Sequence, residues 1–151
     1  MGKIYILGLG PGDVDSLTLG VVNRIKSGDK NFLRTIKHPT IKFFNDNNIP
    51  YESYDYVYDM KEDFKDVYEY IVEDLIKKAK EYKSINYIVP GNPMVAEKTV
   101  ELLLKKEDKD LEIELMTGLS FIEPMLELLK RDPISGVKIV NGEEFDTAQC
   151  G

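Results

Sequence analysis

The stretch 5-YILGLGPGDVDSLT-18 joins an apolar run to three glycines at alternate positions, Gly8, Gly10 and Gly12. Residues 4–9 are continuously apolar and end at glycine, the pattern of a strand buried on both faces. The segment that follows, LTLGVVNRIKSG (17–28), reads as a helix that stops at Gly28, just past its last basic turn. Ligands of open parallel sheets sit beyond the carboxyl ends of strands, so a glycine turn between strand and helix marks both a fold class and a candidate site.

The turn is a poor phosphate cradle. In the dinucleotide fingerprint G-x-G-x-x-G, the loop runs into a helix whose free N–H groups meet a pyrophosphate. Here the third glycine, Gly12, comes one position early, and Asp13 stands at the last position, where a carboxylate repels phosphate. Pro11 has no N–H to donate. No Gly-Lys-Ser/Thr follows either glycine loop of the chain, so there is no P-loop. On the residues alone the stretch also reads as a tight turn in which Asp13, Asp15 or Ser16 caps the helix.

Periodicity along the chain alternates between strand and helix. KNFLRT (30–35) reads as a second strand, HPTIKFFNDNN (38–48) as a short helix opened by Pro39, and YESYDY (51–56) as a third strand. Phe64, Val67, Tyr68, Ile71, Leu75, Ala79 and Tyr82 keep helical spacing over residues 64–82, with Asp63 as N-cap. INYIVP (85–90) is a strand, a helix covers about residues 95–106 with a Glu101–Lys105 pair, and LEIELM (111–116) is another strand. SFIE (120–123) opens a further helix as a capping box, Ser120 reaching forward and Glu123 back. VKIV (137–140) reads as a last strand. Strands separated by helices imply right-handed crossovers, hence an α/β fold with a largely parallel sheet covered on both faces.

Composition narrows the setting. The chain has 151 residues and a net charge of −7, with acidic residues spread along its length. That argues against nucleic acid and membranes as partners, because nothing would neutralise phosphates. Cys150 is the single cysteine, so no internal disulfide forms and a reducing, cytoplasmic location is expected. The N-terminus runs straight into a strand without a signal peptide, and the longest apolar runs are far short of a membrane span.

A second loop, VPGNPMVAE (89–97), also follows an apolar strand and precedes a helix. Two such loops at equivalent strand ends line one crevice, and neither brings basic residues, so the ligand does not depend on phosphate clamps. With this loop in view, the chain resembles the tetrapyrrole (corrin and porphyrin) methylases. GLGPGDVDSLTLGV (8–21) is similar to the family's N-terminal motif, VPGNP (89–93) stands where the family has a G-D-P loop, and TGLSFIEPMLELLKRDP (117–133) resembles its later segment. RTIKHPTI, the acidic run 54–75 and VPGNPMVAEKTVELLL resemble most the branch in which this domain is fused to a MazG-type nucleoside triphosphate pyrophosphohydrolase.

The resemblance implies S-adenosylmethionine as cofactor, a methyl donor that carries a sulfonium and no phosphate. It implies donor contacts from Pro90, Gly91, Asn92 and Val95 in the second loop, from Pro11 in the first, and from Ser120 and Phe121 in the third. Asp13 falls in the family motif on the side of the substrate. Asn92 replaces the usual aspartate, and Arg34 stands where some members carry an aspartate as proton acceptor, so no general base is transferred. Methyl transfer needs donor and acceptor held in line rather than a covalent nucleophile, which suits a site of this kind.

Other residues carry less. His38 is the only histidine and has no Cys or His partner at metal-ligand spacing, so no metal site is expected. The glutamates of EYIVEDL (69–75) lack the second acidic pair that a Mg²⁺-dependent pyrophosphohydrolase needs and read as a solvated face. The expectation is therefore an S-adenosylmethionine-dependent methyltransferase domain with a small-molecule, tetrapyrrole-like acceptor. The alternative is a ligand-sensing module that regulates a fused MazG-type hydrolase. Two parts are expected: residues 1–114, the methylase-like α/β domain, and residues 115–151, an incomplete start of a second α/β domain. So small a remainder cannot close its own core, which makes a homodimer the expected state.

Overall fold

The computed structural model describes residues 1–142. A parallel five-stranded sheet runs through it in the order β3-β2-β4-β1-β5. The strands are β1 (Gly2–Gly8), β2 (Lys30–Leu33), β3 (Glu52–Ser53), β4 (Ser84–Val89) and β5 (Leu111–Met116). The helices are α1 (Leu19–Ile25), α2 (Ile41–Asp46), α3 (Asp55–Met60), α4 (Phe64–Tyr82), α5 (Lys98–Leu104) and α6 (Ile122–Leu129). The expected α/β architecture with a parallel sheet and helices on both faces is what the chain adopts.

The two-residue period of the strands divides the core into two layers. Ile4 and Ile6 of β1, with Ile85, Tyr87 and Val89 of β4, face α4, whose Val67, Ile71, Val72, Leu75 and Ala79 are all buried there. Leu7, Leu33 and Ile88 face the other way, onto Val21 and Ile25 of α1 and Phe43 and Phe44 of α2. Each such side chain contributes about 1.5–3 kcal/mol on burial. The helical spacing over 64–82 is obeyed with its cap, since the Asp63 carboxylate accepts from the Lys65 N–H. Phe64 and Tyr82, at the ends of the stripe, stay exposed.

Four local expectations are corrected. The segment 51–56 pairs with β2 only at Glu52 and Ser53, because β2 itself ends at Leu33; Asp55 then opens α3. Its carboxylate accepts from Thr35 Oγ1 and the Ile36 N–H, turning the chain out of the sheet. The helix expected from about residue 95 starts at Lys98, since a turn closed by Val95 N–H to the Asn92 carbonyl and a left-handed Ala96 (φ 59°) intervene. α1 is capped by Thr18, which accepts from the Val21 N–H, while Asp13 caps a separate 3-10 turn, Val14–Ser16. VKIV is not a strand: residues 137–140 are exposed and have no strand beside them among the described residues. Apolar β-branched residues extend a sheet only where a free edge is within reach.

β5 carries the fifth position of the sheet, paired with β1 from Gly2↔Leu111 to Leu7↔Met116. On this side the fold is open. α6 buries none of its residues, and Leu128 is 83 % exposed. No described helix is long and apolar enough to cross a membrane. Cys150 and the end of the expected second part, residues 143–151, lie outside the described residues.

Candidate functional site

β1 is the switch point of the sheet: the chain leaves it toward β2 and β3 on one side and comes to lie as β5 on the other. The loops that follow β1, β4 and β5 therefore meet beyond their carboxyl ends, where ligands of such sheets bind. They are stitched together by backbone. The Gly10 N–H donates to the Gly91 carbonyl (3.2 Å) and the Gly91 N–H to the Gly10 carbonyl (2.9 Å), an isolated antiparallel bridge between the two glycine loops. Gly91 takes a left-handed conformation (φ 66°), which positions its carbonyl under Gly8 and Gly118. A Cβ on Gly8 would lie 2.3 Å from that oxygen, and one on Gly118 would lie 2.5 Å from it. Glycine is thus required at both places by close approach, not by backbone conformation.

Asn92 clips the second loop to the third. Its Nδ2 donates to the Gly118 carbonyl (2.8 Å) and its Oδ1 accepts from the Met94 N–H (2.8 Å). An aspartate has the acceptor for Met94 and no donor for Gly118, so the amide is what this junction needs. Asn92→Asp is expected to cost about 1–3 kcal/mol, the penalty of a carboxylate facing an unpaired carbonyl, measured by urea denaturation. An unchanged midpoint would show that water replaces the clip.

The third wall is the start of α6. The expected capping box is present in a tightened form: Glu123 Oε2 accepts from both the N–H (2.8 Å) and the hydroxyl (2.5 Å) of Ser120, and Ser120 Oγ accepts from the Ile122 N–H (3.0 Å) rather than from Glu123. The hydrogen bonds at Ser120 hold the Glu123 carboxyl below its ordinary range, against a small burial effect. Ser120 is buried and Phe121 beside it is half exposed.

Together these walls enclose a cleft of about 240 Å³. Pro11 of the first loop lines it, with Pro90, Gly91, Asn92 and Val95 of the second and Ser120 and Phe121 of the third. Asp13 does not: it lies exposed, its carboxylate taken up by the Asp15 N–H at the start of the 3-10 turn. Four further residues complete the lining, Gly10, His38, Ala96 and Glu97. Gly10, Ala96 and Glu97 lie within the two glycine loops that marked the crevice, although no role was read for them singly, and His38 read only as a lone histidine opening a short helix.

The charged wall has a definite order. Glu97 occupies the N-cap position of α5 without capping it, and its side chain, 8 % exposed, turns instead to Arg34, whose Nε lies 3.2 Å from Oε2. The Nε–H does not point at the oxygen, so the contact is an ion pair rather than a hydrogen bond. Arg34 also donates from Nη1 to the Tyr58 hydroxyl (3.2 Å). Burial pushes the Glu97 carboxyl up to about 7, with the Arg34 charge opposing the rise. Burial works against the Arg34 charge, but Glu97 and Tyr58 outweigh it and hold the guanidinium above its ordinary range. His38 donates from Nε2 to the Gly10 carbonyl (3.1 Å) and accepts at Nδ1 from the Thr40 N–H (3.2 Å), a pair of contacts that only the neutral Nε2–H ring makes. Burial lowers its pKa, the Gly10 hydrogen bond opposes this, and Arg34 lowers it further.

The donor set suits a ligand with an apolar or aromatic body and no phosphate. Backbone groups, prolines, Val95 and Phe121 form the walls, the lining brings no lysine or arginine, and the Arg34 guanidinium is already paired with Glu97. Among the described residues no cluster of His, Cys, Asp or Glu is placed to hold a metal ion. Comparisons with known proteins place the chain in a family and show its fold. The sequence profile of the family described as Tetrapyrrole (Corrin/Porphyrin) Methylases matches residues 3–141. A curated relative, the uncharacterized protein YabN of Bacillus subtilis (strain 168), is 36 % identical over 141 residues, which cover 93 % of this chain and 29 % of that protein. The uroporphyrin-III-C-methyltransferase from Thermus thermophilus superposes with a TM-score of 0.63 at 21 % identity, over 85 % of this chain and 53 % of that one. A structure of the Thermus enzyme complexed with S-adenosylhomocysteine superposes with a TM-score of 0.55 at 20 % identity, over 79 % of this chain and 49 % of that one. The chain thus spans about half the length of those structures and less than a third of the curated relative.

Proposed function

Because the chain belongs to the tetrapyrrole (corrin/porphyrin) methylase family, we propose that its cleft binds S-adenosylmethionine and that the domain serves methyl transfer to a small-molecule, tetrapyrrole-like acceptor. One observation carries the reading. Seven residues drawn from three separated motifs, Pro11, Pro90, Gly91, Asn92, Val95, Ser120 and Phe121, line the same cleft.

The cradle suits this donor. The close approach of Gly8, Gly91 and Gly118 keeps the three loops at a spacing that any Cβ at Gly8 or Gly118 would widen, so the cleft is pre-formed rather than assembled on binding. Pro90 and Val95 offer apolar surface, and Ser120 brings a hydroxyl to the opposite wall. The donor, when bound, supplies an electrophilic methyl group on a sulfonium. The residues of the chain hold the reactants in line, and such positioning supplies a large part of the rate enhancement of a displacement.

A second reading is a ligand-sensing module regulating a fused MazG-type pyrophosphohydrolase. Its support is length, since the curated relative is more than three times longer than the matched region. The open side at β5 and α6 supports a covering of that face, by the rest of a longer polypeptide or by a second copy in a homodimer. Calorimetric titration with S-adenosylhomocysteine, NADH and ATP side by side tests the primary reading. Saturable binding of S-adenosylhomocysteine alone is expected, and binding of NADH in its place would overturn it. Binding without methyl transfer to any tetrapyrrole favours the sensor.

A further inference from the structure

The cleft contains a carboxylate that the motifs did not assign. Glu97 leaves the N-cap position of α5 uncapped and turns to Arg34, so its placement is set by the cleft and not by its own helix. The groups around it are Arg34 from the end of β2, Tyr58 from α3 through Arg34 and Tyr87 from β4, with His38, from the loop before α2, in the same cleft lining. Tyr87 is fully buried with its hydroxyl bonded to Thr99 (2.7 Å) and burial pushes its pKa up, while the basic nitrogen of His38, Nδ1, is already taken up by the Thr40 N–H. Neither therefore exchanges a proton readily. Arg34 stays charged. Glu97 is left as the group in the cleft wall able to change protonation state near neutral pH.

We propose that Glu97 is the proton acceptor of this cleft, with Arg34 as its positioning residue, and that the methyl acceptor is accordingly a nucleophile that carries a proton, an N–H, O–H or activated C–H. This rests on the methyl-transfer reading. The bond that forms joins the acceptor atom to the methyl carbon, and the carbon–sulfur bond breaks with its electron pair passing to sulfur. The proton left on the acceptor passes to a Glu97 oxygen. The sulfonium charge and the carboxylate charge are lost together, so the step leaves the net charge of the site unchanged, with the Arg34 cation remaining. A carboxyl that burial brings to about 7 is poised for that transfer at neutral pH. The ion pair with Arg34 fixes the side chain through Oε2.

The test uses the 151-residue chain and S-adenosylhomocysteine as probe. With ¹³C-labelled glutamate, the Glu97 carboxyl is expected to titrate well above the other glutamates, and its resonance to move on addition of S-adenosylhomocysteine. Titration in the ordinary carboxylate range, or a resonance indifferent to the probe, would overturn the proposal. Arg34→Lys, which keeps the charge and loses the planar fork, should shift the Glu97 midpoint; an unmoved midpoint would remove Arg34 from the positioning role. Glu97→Gln is expected to remove the high-titrating resonance, and its persistence in that variant would overturn the assignment to Glu97. Should Glu97→Gln fail to fold, the titration of the unsubstituted chain still decides. Absence of binding by the unsubstituted chain is a separate outcome and removes the methyl-donor reading itself.

Discussion

Gly8→Ala is expected to destabilise the protein by about 3 kcal/mol, the upper range for overpacking, and to abolish S-adenosylhomocysteine binding. The added methyl would sit 2.3 Å from the Gly91 carbonyl oxygen and 2.9 Å from Gly118 Cα. Neither neighbour is a flexible side chain that can swing aside. Gly91 is fixed by its reciprocal hydrogen bonds with Gly10, and Gly118 by the Asn92 amide. Relief requires β1 and the second loop to separate, which breaks the Gly10–Gly91 bridge and displaces the walls of the cleft. Gly118→Ala, with its Cβ 2.5 Å from the same oxygen, should behave alike. By contrast, the space around Gly28 is open, so its substitution meets no neighbour, only the strain of φ 96°. Urea denaturation and calorimetry on the three variants read the difference. If Gly8→Ala binds and unfolds like the parent, the three glycines are not in the close contact on which the cleft depends.

Arg34→Ala should cost about 3–5 kcal/mol at pH 8, the penalty for leaving a buried charge without its partner, and markedly less at pH 6. The pH dependence follows from Glu97. Its folded pKa, about 7, lies above the ordinary carboxylate value of 4.5, so the folded protein binds this proton more tightly than the unfolded chain does. Stability associated with the proton is present below pH 4.5 and is lost as the pH rises to 7, above which the buried carboxylate is ionised and depends on Arg34. Removing Arg34 takes away the charge that lowers the Glu97 pKa, so the carboxyl of the variant stays neutral to a higher pH and the deficit grows as alkalinity forces it to ionise. At pH 6 the neutral carboxyl needs no cation. Melting temperatures of parent and variant at pH 6 and pH 8 test this, and a deficit equal at both would show that Glu97 is not ionised beside Arg34 in the parent.

Asp13 shows how far a motif reaches. Its place in the first motif suggested the substrate side, yet its carboxylate is spent on a local turn and lies off the cleft. Asn92 shows the reverse: a departure from the usual aspartate becomes intelligible once Gly118, 26 residues on, is seen to need a donor. Arg34, which at first removed a general base from the reading, leads through its ion pair to Glu97.

The sequence by itself determined the alternation of strands and helices apart from α3 and residues 137–140, the parallel sheet, the long amphipathic helix α4 with its Asp63 cap, and the two glycine loops as the places to look. These are local properties: periodicity, caps and turn residues act over a few positions along the chain, and apolar alternation states which face is covered. What only the tertiary structure decided is non-local. Whether residues 51–56 and 137–140 become strand depends on a partner edge, and β2 offers one for two residues only. The meeting of Gly8, Gly91 and Gly118 depends on β1 lying between β4 and β5. The entry of His38 and Glu97 into the cleft depends on where helices α2 and α5 begin relative to the sheet. Such contacts join residues tens of positions apart, and their energies depend on burial and distance, which no spacing along the chain encodes.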